Sequence, residues 1–460
     1  MQSTLRKISL YLFLFCFPGL PSAQEEHGQH QSSQKQDQQP SMPDMPGMDM
    51  HHHHMGSGME MEQQPTTFIE KIEQHGASGT DAQPNSTPVP MLMTMKGKWM
   101  LMLHGVAFLT EEQQSGPRGD DKLFSTNWVM PMAQRQLAKG TLTLRAMLSL
   151  EPGTVTRRFY PELFQQGETA FGRPIVDGQH PHDFFMELAA LYDLRIGEKT
   201  LLSFYGAPMG DPAMGPVAYP HRASASEDPI ATLGHHLEDS THIADDVLTV
   251  GIAHRAVRLE ASGFHGREPD EHRWDVDAGK INSWSARLTL NPGQNWSGQY
   301  SFGHLTSPEA LHPDEDIDRM TASVTYNRPL ANGNWATLLL WGRNRTRPSG
   351  LIWNGYLAES TLRFSTRSYV WARFENVDRT NELLLRNTFE PTSFEENIIG
   401  RVQATTVGYD RDIDLIPHLA TAIGGQVTFY GVPDAVKPIY GRHPAGVVLF
   451  VRIRPFGKER

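Results

Sequence analysis

The 460-residue chain carries 41 Lys and Arg against 52 Asp and Glu, a formal charge of −11, and a single cysteine. The acidic excess is spread along the chain, which argues against a nucleic-acid partner. Cys16 is the lone thiol, so disulfides, thiolate metal centres and a cysteine nucleophile are excluded from everything after it.

Arg6 and Lys7 precede an apolar run over 8–17, and "PGLPSAQ" then offers a small-residue cleavage point after Ala23. That is the layout of a secretory signal peptide over 1–23, with a run too short to span a bilayer comfortably. No later stretch approaches eighteen apolar residues, so helical membrane spans are not expected.

Residues 24–96 are rich in Gln, Ser, Pro, Met and His. Too little apolar surface is present to offset chain entropy, and the segment reads as a disordered leader. Within it "TTFIEKIEQ" has capping-box spacing, Thr67 to Glu70, and a small apolar face. It reads as a transient turn, with docking on a partner or in the barrel mouth as the alternative.

The stretch "MPDMPGMDMHHHHMGSGMEM" places Met42, Met45, Met48, Met50, Met55, Met59 and Met61 around His51, His52, His53 and His54. Thioether sulfur is a soft ligand suited to Cu(I), and imidazole suits Cu(II), Zn and Ni. The expected cofactor or cargo is therefore copper or another transition metal. A second cluster, "MLMTMKGKWMLMLH", puts Met91, Met93, Met95, Met100, Met102 and His104 at the start of the next region. The bland alternative is a low-complexity spacer.

From about residue 97 the texture changes to segments with period-two alternation. "RMTASVTYN" sends Ala322, Val324 and Tyr326 one way and Thr321, Ser323, Thr325 and Asn327 the other. "TLTLRAMLS" behaves alike, which marks strands with one apolar and one polar face. Sixteen strands are expected. The first eight lie near 97–110, 121–132, 139–150, 182–194, 198–206, 245–253, 255–264 and 281–290. The other eight lie near 295–305, 318–328, 333–343, 354–365, 367–377, 400–411, 417–430 and 443–456.

Their links alternate short and long, and an even strand count returns the chain to its starting side. That combination points to an all-β fold, a transmembrane antiparallel up-and-down barrel over 97–456, in the outer membrane of a Gram-negative bacterium with the leader in the periplasm. Closure leaves no sheet edge for lipid to meet. Trp99, Trp284, Trp296, Trp335 and Trp341 suit interfacial girdles, and Phe456 ends the last strand.

If apolar faces meet lipid, the alternate residues line a lumen. These are Arg145, Glu187, Arg258, Glu260, Arg287, Glu359, Arg363, Arg373, Glu375, Arg452 and Arg454. Sixteen strands leave room for an aqueous channel, and Arg and Glu rings select permeants by charge. A plugged, salt-bridged interior is the competing expectation.

Two histidine-rich links hold the other polar cluster. "HPHD" and "YPHR" supply His180, His182, Asp183 and His221; "LGHHLEDSTHIADD" supplies His235, His236, Asp239 and His242. This set suits a divalent site of the His and carboxylate type, or a hydrogen-bonded loop scaffold.

The signal, the Met/His leader and the C-terminal barrel together resemble the layout of copper-resistance protein B, without that family's repeated Met-Asp-His units. The segments "GQHPHDFFMELA", "GHHLEDSTHI", "GFHGREPDE" and "YGRHPAG" resemble a widespread family of uncharacterised bacterial outer-membrane β-barrels. The first resemblance implies copper handling; the second implies no activity.

The expected function is a porin-like channel concerned with metal, copper first, and not an enzyme. Its expected partners are outer-membrane lipid, ions or small solutes, a periplasmic metal-handling protein and further copies in a homotrimer. The alternatives are a general or solute-specific porin with an incidental leader, or an outer-membrane lipid hydrolase using the Ser and His of "HRASASED" and "DSTHI".

Overall fold

Alternation lets one strand satisfy two solvents at once, and sixteen such strands close on themselves in the computed structural model, which describes residues 64–455 except 387, 414, 417 and 418. The signal, the Met/His stretch 42–61 and Phe456 lie outside the described residues.

The first half comprises β1 (Trp99–Gln114), β2 (Asp121–Leu137), β3 (Gly140–Leu148), β4 (Phe185–Arg195), β5 (Thr200–Gly210), β6 (Ala244–His254), β7 (Val257–His265) and β8 (Ser283–Leu290). The second comprises β9 (Trp296–Leu305), β10 (Asp316–Leu330), β11 (Gly333–Arg347), β12 (Ile352–Arg363), β13 (Ser368–Thr380), β14 (Ile398–Asp412), β15 (Ala420–Gly431) and β16 (Ala445–Arg454). All sixteen expected strands are present, with their ends displaced by a few residues. Each pairs antiparallel with the next, and β1 closes on β16 with Ala107 opposite Ile453 and Gln114 opposite Gly446. Links at one end are short, 138–139 and 255–256 among them; at the other, 149–184 and 211–243 are the longest.

β16 covers β1 only from Ala107 onward. A short strand, Leu92–Lys96, takes over beside Trp99–Leu103, joined to β1 by a two-residue turn. Gly97 holds φ +64 there, a left-handed conformation that costs any residue with a Cβ.

The outward faces carry the large apolar residues: Leu248, Val250 and Ile252 of β6, Leu339 of β11, Ile423 of β15 and Leu449 of β16 are all exposed. The inward positions between them are polar and covered, as with Thr321, Ser323 and Asn327 of β10. At the short-turn end Trp296, Tyr326 and Trp335 form a ring cluster, with centroids 4.6 and 5.4 Å apart, while Arg135 stacks on Trp99. Trp341 departs from the expected girdle and sits inside β11. An exposed apolar belt on a sheet without edges is a surface for hydrocarbon. Leu339→Arg is therefore expected to destabilise the lipid-embedded barrel by about 2–4 kcal/mol, read as a lowered urea midpoint in heat-modifiable gel migration.

The leader expectation needs one correction. Residues 64–96 are folded, and the capping box at Thr67 and Glu70 is formed at the start of helix α1 (Phe68–Glu73). Phe68, Ile69 and Ile72 are buried against Leu201 and Ala253 of β5 and β6. A helix of this length cannot persist alone; packing on the barrel's inner wall supplies what propensity lacks.

Candidate functional site

All eleven charged residues expected on the inner wall face the lumen. Nine are buried, and Arg363 and Arg454 are half-buried towards the short-turn mouth. Buried charge is costly unless each ion is paired and hydrogen-bonded. Here the partners are protein rather than channel water: among the described residues these positions are covered by the chain itself, the arrangement of the salt-bridged interior that was the competing expectation.

Part of the filling is the segment that follows α1. His75 Nε2 lies 2.7 Å from Asp193, and Ser78 donates to Asp211 at 2.8 Å. Arg145 pairs with Glu187 at 2.6 Å and donates to the carbonyls of His75, Ala77 and Gly79. Glu187 in turn accepts from the Gly79 amide at 2.9 Å. Gly79 holds φ +56, and a Cβ there would meet the Asp211 carbonyl oxygen at 2.6 Å, so glycine alone allows this approach.

Further along, Arg258 donates to the Thr80 carbonyl and pairs with Glu260, while Arg287 holds both Asp81 and Glu260. Asn327 and Ser86 exchange hydrogen bonds at 2.8 to 3.1 Å. The wall's charge ladder is thus completed by a strip of the chain's own backbone.

The long link 211–243 fills the next layer. Arg222 pairs with Asp239 and Glu359, and Ser224 donates to Glu359 at 2.8 Å. Arg373 donates to the carbonyls of Ile230 and Ala231 and pairs with Asp228 and Glu359. Glu375 accepts from the Leu233 amide at 2.6 Å, and Arg452 holds Glu227 and Asp410. Gln83 joins the two fillings by bonding the His221 carbonyl and the Ala223 amide. Between residues 81–83, the link at 215–224 and the wall, a cavity of about 20 Å³ remains, room for about one water.

One of the apolar sectors of the inner wall is built mainly of methionine. Met102 of β1, Met130 and Met132 of β2, Met147 of β3 and Met209 of β5 occupy buried inward positions, and Met186 joins them from β4. Met91, Met93 and Met100 pack on this patch, whereas Met95 is exposed. His221 Nε2 lies 3.3 Å from Met147 Sδ, and its ring is 5.8 Å from that of His104. The His104 Nε2 is buried without a partner. Burial and the neighbouring His104 hold the His221 imidazole well below its ordinary pKa, so it is a neutral donor.

The eight loop residues expected to share one metal site are instead divided. His221 belongs to the methionine patch. Asp183 pairs with Arg273. His182 binds Glu151 through Nδ1 at 2.9 Å and the Tyr219 hydroxyl through Nε2 at 3.2 Å. Asp239 accepts from His235 Nδ1 at 2.7 Å and from the Tyr219 amide at 3.0 Å, and its carbonyl accepts from His242 Nδ1. These four histidine and aspartate side chains, His182, His235, Asp239 and His242, form a hydrogen-bonded scaffold. His180 and His236 converge elsewhere, on Glu168, at 3.4 and 3.9 Å. Glu168 had no signal in the sequence; the inward methionines did, since "WVMPM" places Met130 and Met132 on the polar face of β2. Among the serines of the expected hydrolase motifs, Ser224 is engaged by Glu359 and Ser240 accepts from Arg319.

Burial raises the Asp239 carboxyl, but Arg222, His235 and His242 outweigh it and hold the group well below the usual range. A carboxyl depressed in the folded state stabilises fully above its unfolded value and loses that contribution as pH falls towards the folded one. Intrinsic-rate-corrected hydrogen-exchange protection at the Tyr219 amide is expected to hold from neutral pH to about 5 and to fall below about 4.

Fold and interior together define a transmembrane β-barrel with a filled polar lumen. No family model matches the chain, and no curated protein matches it. Solved structures of similar outline include an anion-selective porin from Comamonas acidovorans, at 11% identity over 77% of this chain and 99% of that one, with a TM-score of 0.49. Pseudomonas putida OprB matches at 8% identity, 78% and 94% coverage and 0.49, and Salmonella typhi OmpF with daunomycin at 9%, 79% and 100%, and 0.47. At these identities the likeness is one of outline, and the barrel class stands on the closure and apolar belt described above.

Proposed function

We propose that this protein is an outer-membrane channel, shut in the present conformation, that handles a soft metal ion, with copper(I) the cargo its donors suit best. The observation that carries this reading is the inward methionine patch with His104 and His221. Other apolar sectors of the inner wall are aromatic and aliphatic, with Phe108, Phe124 and Phe450 in one and Leu191, Val247 and Phe264 in another, so a sector built mainly of thioethers beside two histidines needs a reason beyond packing. Thioether sulfur and neutral imidazole are the donors that Cu(I) prefers over hard competitors. The Met/His stretch 42–61 and the layout shared with copper-resistance protein B support the same reading from the sequence side. Short turns then face the periplasm and long links the exterior.

The test is uptake of Cu(I) into proteoliposomes holding a Cu(I)-binding dye. Leucine is close to methionine in volume and keeps the packing. The triple substitution Met130→Leu, Met132→Leu, Met147→Leu is expected to lower uptake at least about tenfold with heat-modifiability unchanged. Uptake equal to that of the unsubstituted protein would return the chain to the general-porin reading.

A further inference from the structure

We propose that Glu168, His180 and His236 form a binding site for one borderline divalent metal ion, of the zinc, cobalt or nickel class, at the long-link end of the barrel. This site is separate from the soft-metal patch and does not depend on it. Glu168 and His180 come from the link 149–184 and His236 from 211–243, and one donor atom from each lies within 4.8 Å of the others.

The lone pairs are the reason. His180 Nδ1 faces the Pro181 carbonyl at 2.9 Å and must donate to it, which leaves Nε2 as the bare acceptor. That bare nitrogen points at the Glu168 Oε2, another acceptor, 3.4 Å away. His236 is more than nine-tenths buried, and neither of its ring nitrogens has a partner; its Nδ1 faces the same carboxylate oxygen. Two acceptors, His180 Nε2 and Glu168 Oε2, thus face one another beside a buried imidazole with no hydrogen-bond partner, an arrangement that a cation relieves. Fixing one imidazole nitrogen by a backbone carbonyl is also how metal-ligating histidines are held.

The surroundings favour positive charge as well. Arg273 engages Glu168 Oε1 at 2.9 Å and is shared with Asp183, so it does not neutralise the cluster. Glu268 adjoins Glu168, and its Oε1 is sealed from solvent without a partner. A cleft of about 490 Å³ lined by Phe171, Pro181, Arg273 and Trp274 reaches His180, the outermost of the three. Two imidazoles and a carboxylate suit Zn²⁺ and its analogues, with remaining positions for water or Glu268.

The test is titration with Co²⁺, followed by its visible d–d bands and by Zn²⁺ displacement, in the detergent-solubilised full chain. His51, His52, His53 and His54 are replaced by Gln so that the leader does not compete. One tight equivalent is expected, weakened at least about tenfold by Glu168→Gln and by His236→Gln, each with normal heat-modifiability. Glu168→Gln is nearly isosteric and guards against a folding artefact. No tight equivalent, or one that survives either substitution, overturns the site. Neither outcome bears on Cu(I) uptake, whose variants lie in the wall.

Discussion

Arg145→Ala is expected to release the folded-in segment after α1 from the lumen. The guanidinium holds Glu187 and three backbone carbonyls, those of His75, Ala77 and Gly79. Truncation leaves a fully buried carboxylate without its counter-ion and three carbonyls without their donor. Breaking a buried pair from one side costs about 3–5 kcal/mol, and every 1.4 kcal/mol is tenfold in an equilibrium. No cysteine follows Cys16, so Ala77→Cys is a clean reporter at a buried position. Its modification by a membrane-impermeant maleimide is expected to accelerate about a hundredfold or more in the Arg145→Ala background. Arg195→Ala removes an exposed pair with Glu73 and is the control, with a change of less than about threefold. Equal rates in all backgrounds would mean that the segment is held by something other than this arginine.

Arg373→Met is expected to free the link 211–243. Arg373 bonds the Ile230 and Ala231 carbonyls and pairs with Asp228 on the link and Glu359 on the wall. Methionine fills the space yet leaves Asp228 without its counter-ion and the two carbonyls without a donor, again about 3–5 kcal/mol. Arg222, buried on the same link, should then become a tryptic site, with cleavage after it rising about a hundredfold. Mass spectrometry of the fragments separates this cut from those at the exposed loop arginines. Single-channel recording on the same variant shows whether the link is what blocks ion flow. Loss of a band without new cleavage at Arg222 would instead indicate a folding defect.

Much of the barrel was legible because lipid imposes a simple rule on the sequence. Charge facing hydrocarbon is expelled, so Arg258 and Arg373 had to point inward, and they do. The interior follows no such rule. Whether Arg145 meets water, a counter-ion or a backbone carbonyl depends on chain that arrives from 70 residues earlier, and period-two patterning carries no trace of that meeting. The segment 64–96 was read as disordered for the same reason. Its few apolar residues, Phe68, Ile69 and Ile72, are too sparse for a core of their own, but suffice once a preformed wall supplies the other side. Glu168 was invisible because a lone glutamate in a polar link has no spacing to betray it.

The sequence by itself therefore determined the strand number, the closure, the inward direction of every charged ladder residue and the soft-donor chemistry of the Met and His clusters. These follow from local alternation and from the donor atoms each side chain carries. Only the tertiary structure decided that the lumen is filled, that the loop histidines divide between a hydrogen-bonded scaffold, a cluster with Glu168 and the methionine patch, and that methionines from different strands meet on one inner wall. Those outcomes rest on contacts between distant segments, where buried charge and unsatisfied carbonyls select the one arrangement in which they find partners.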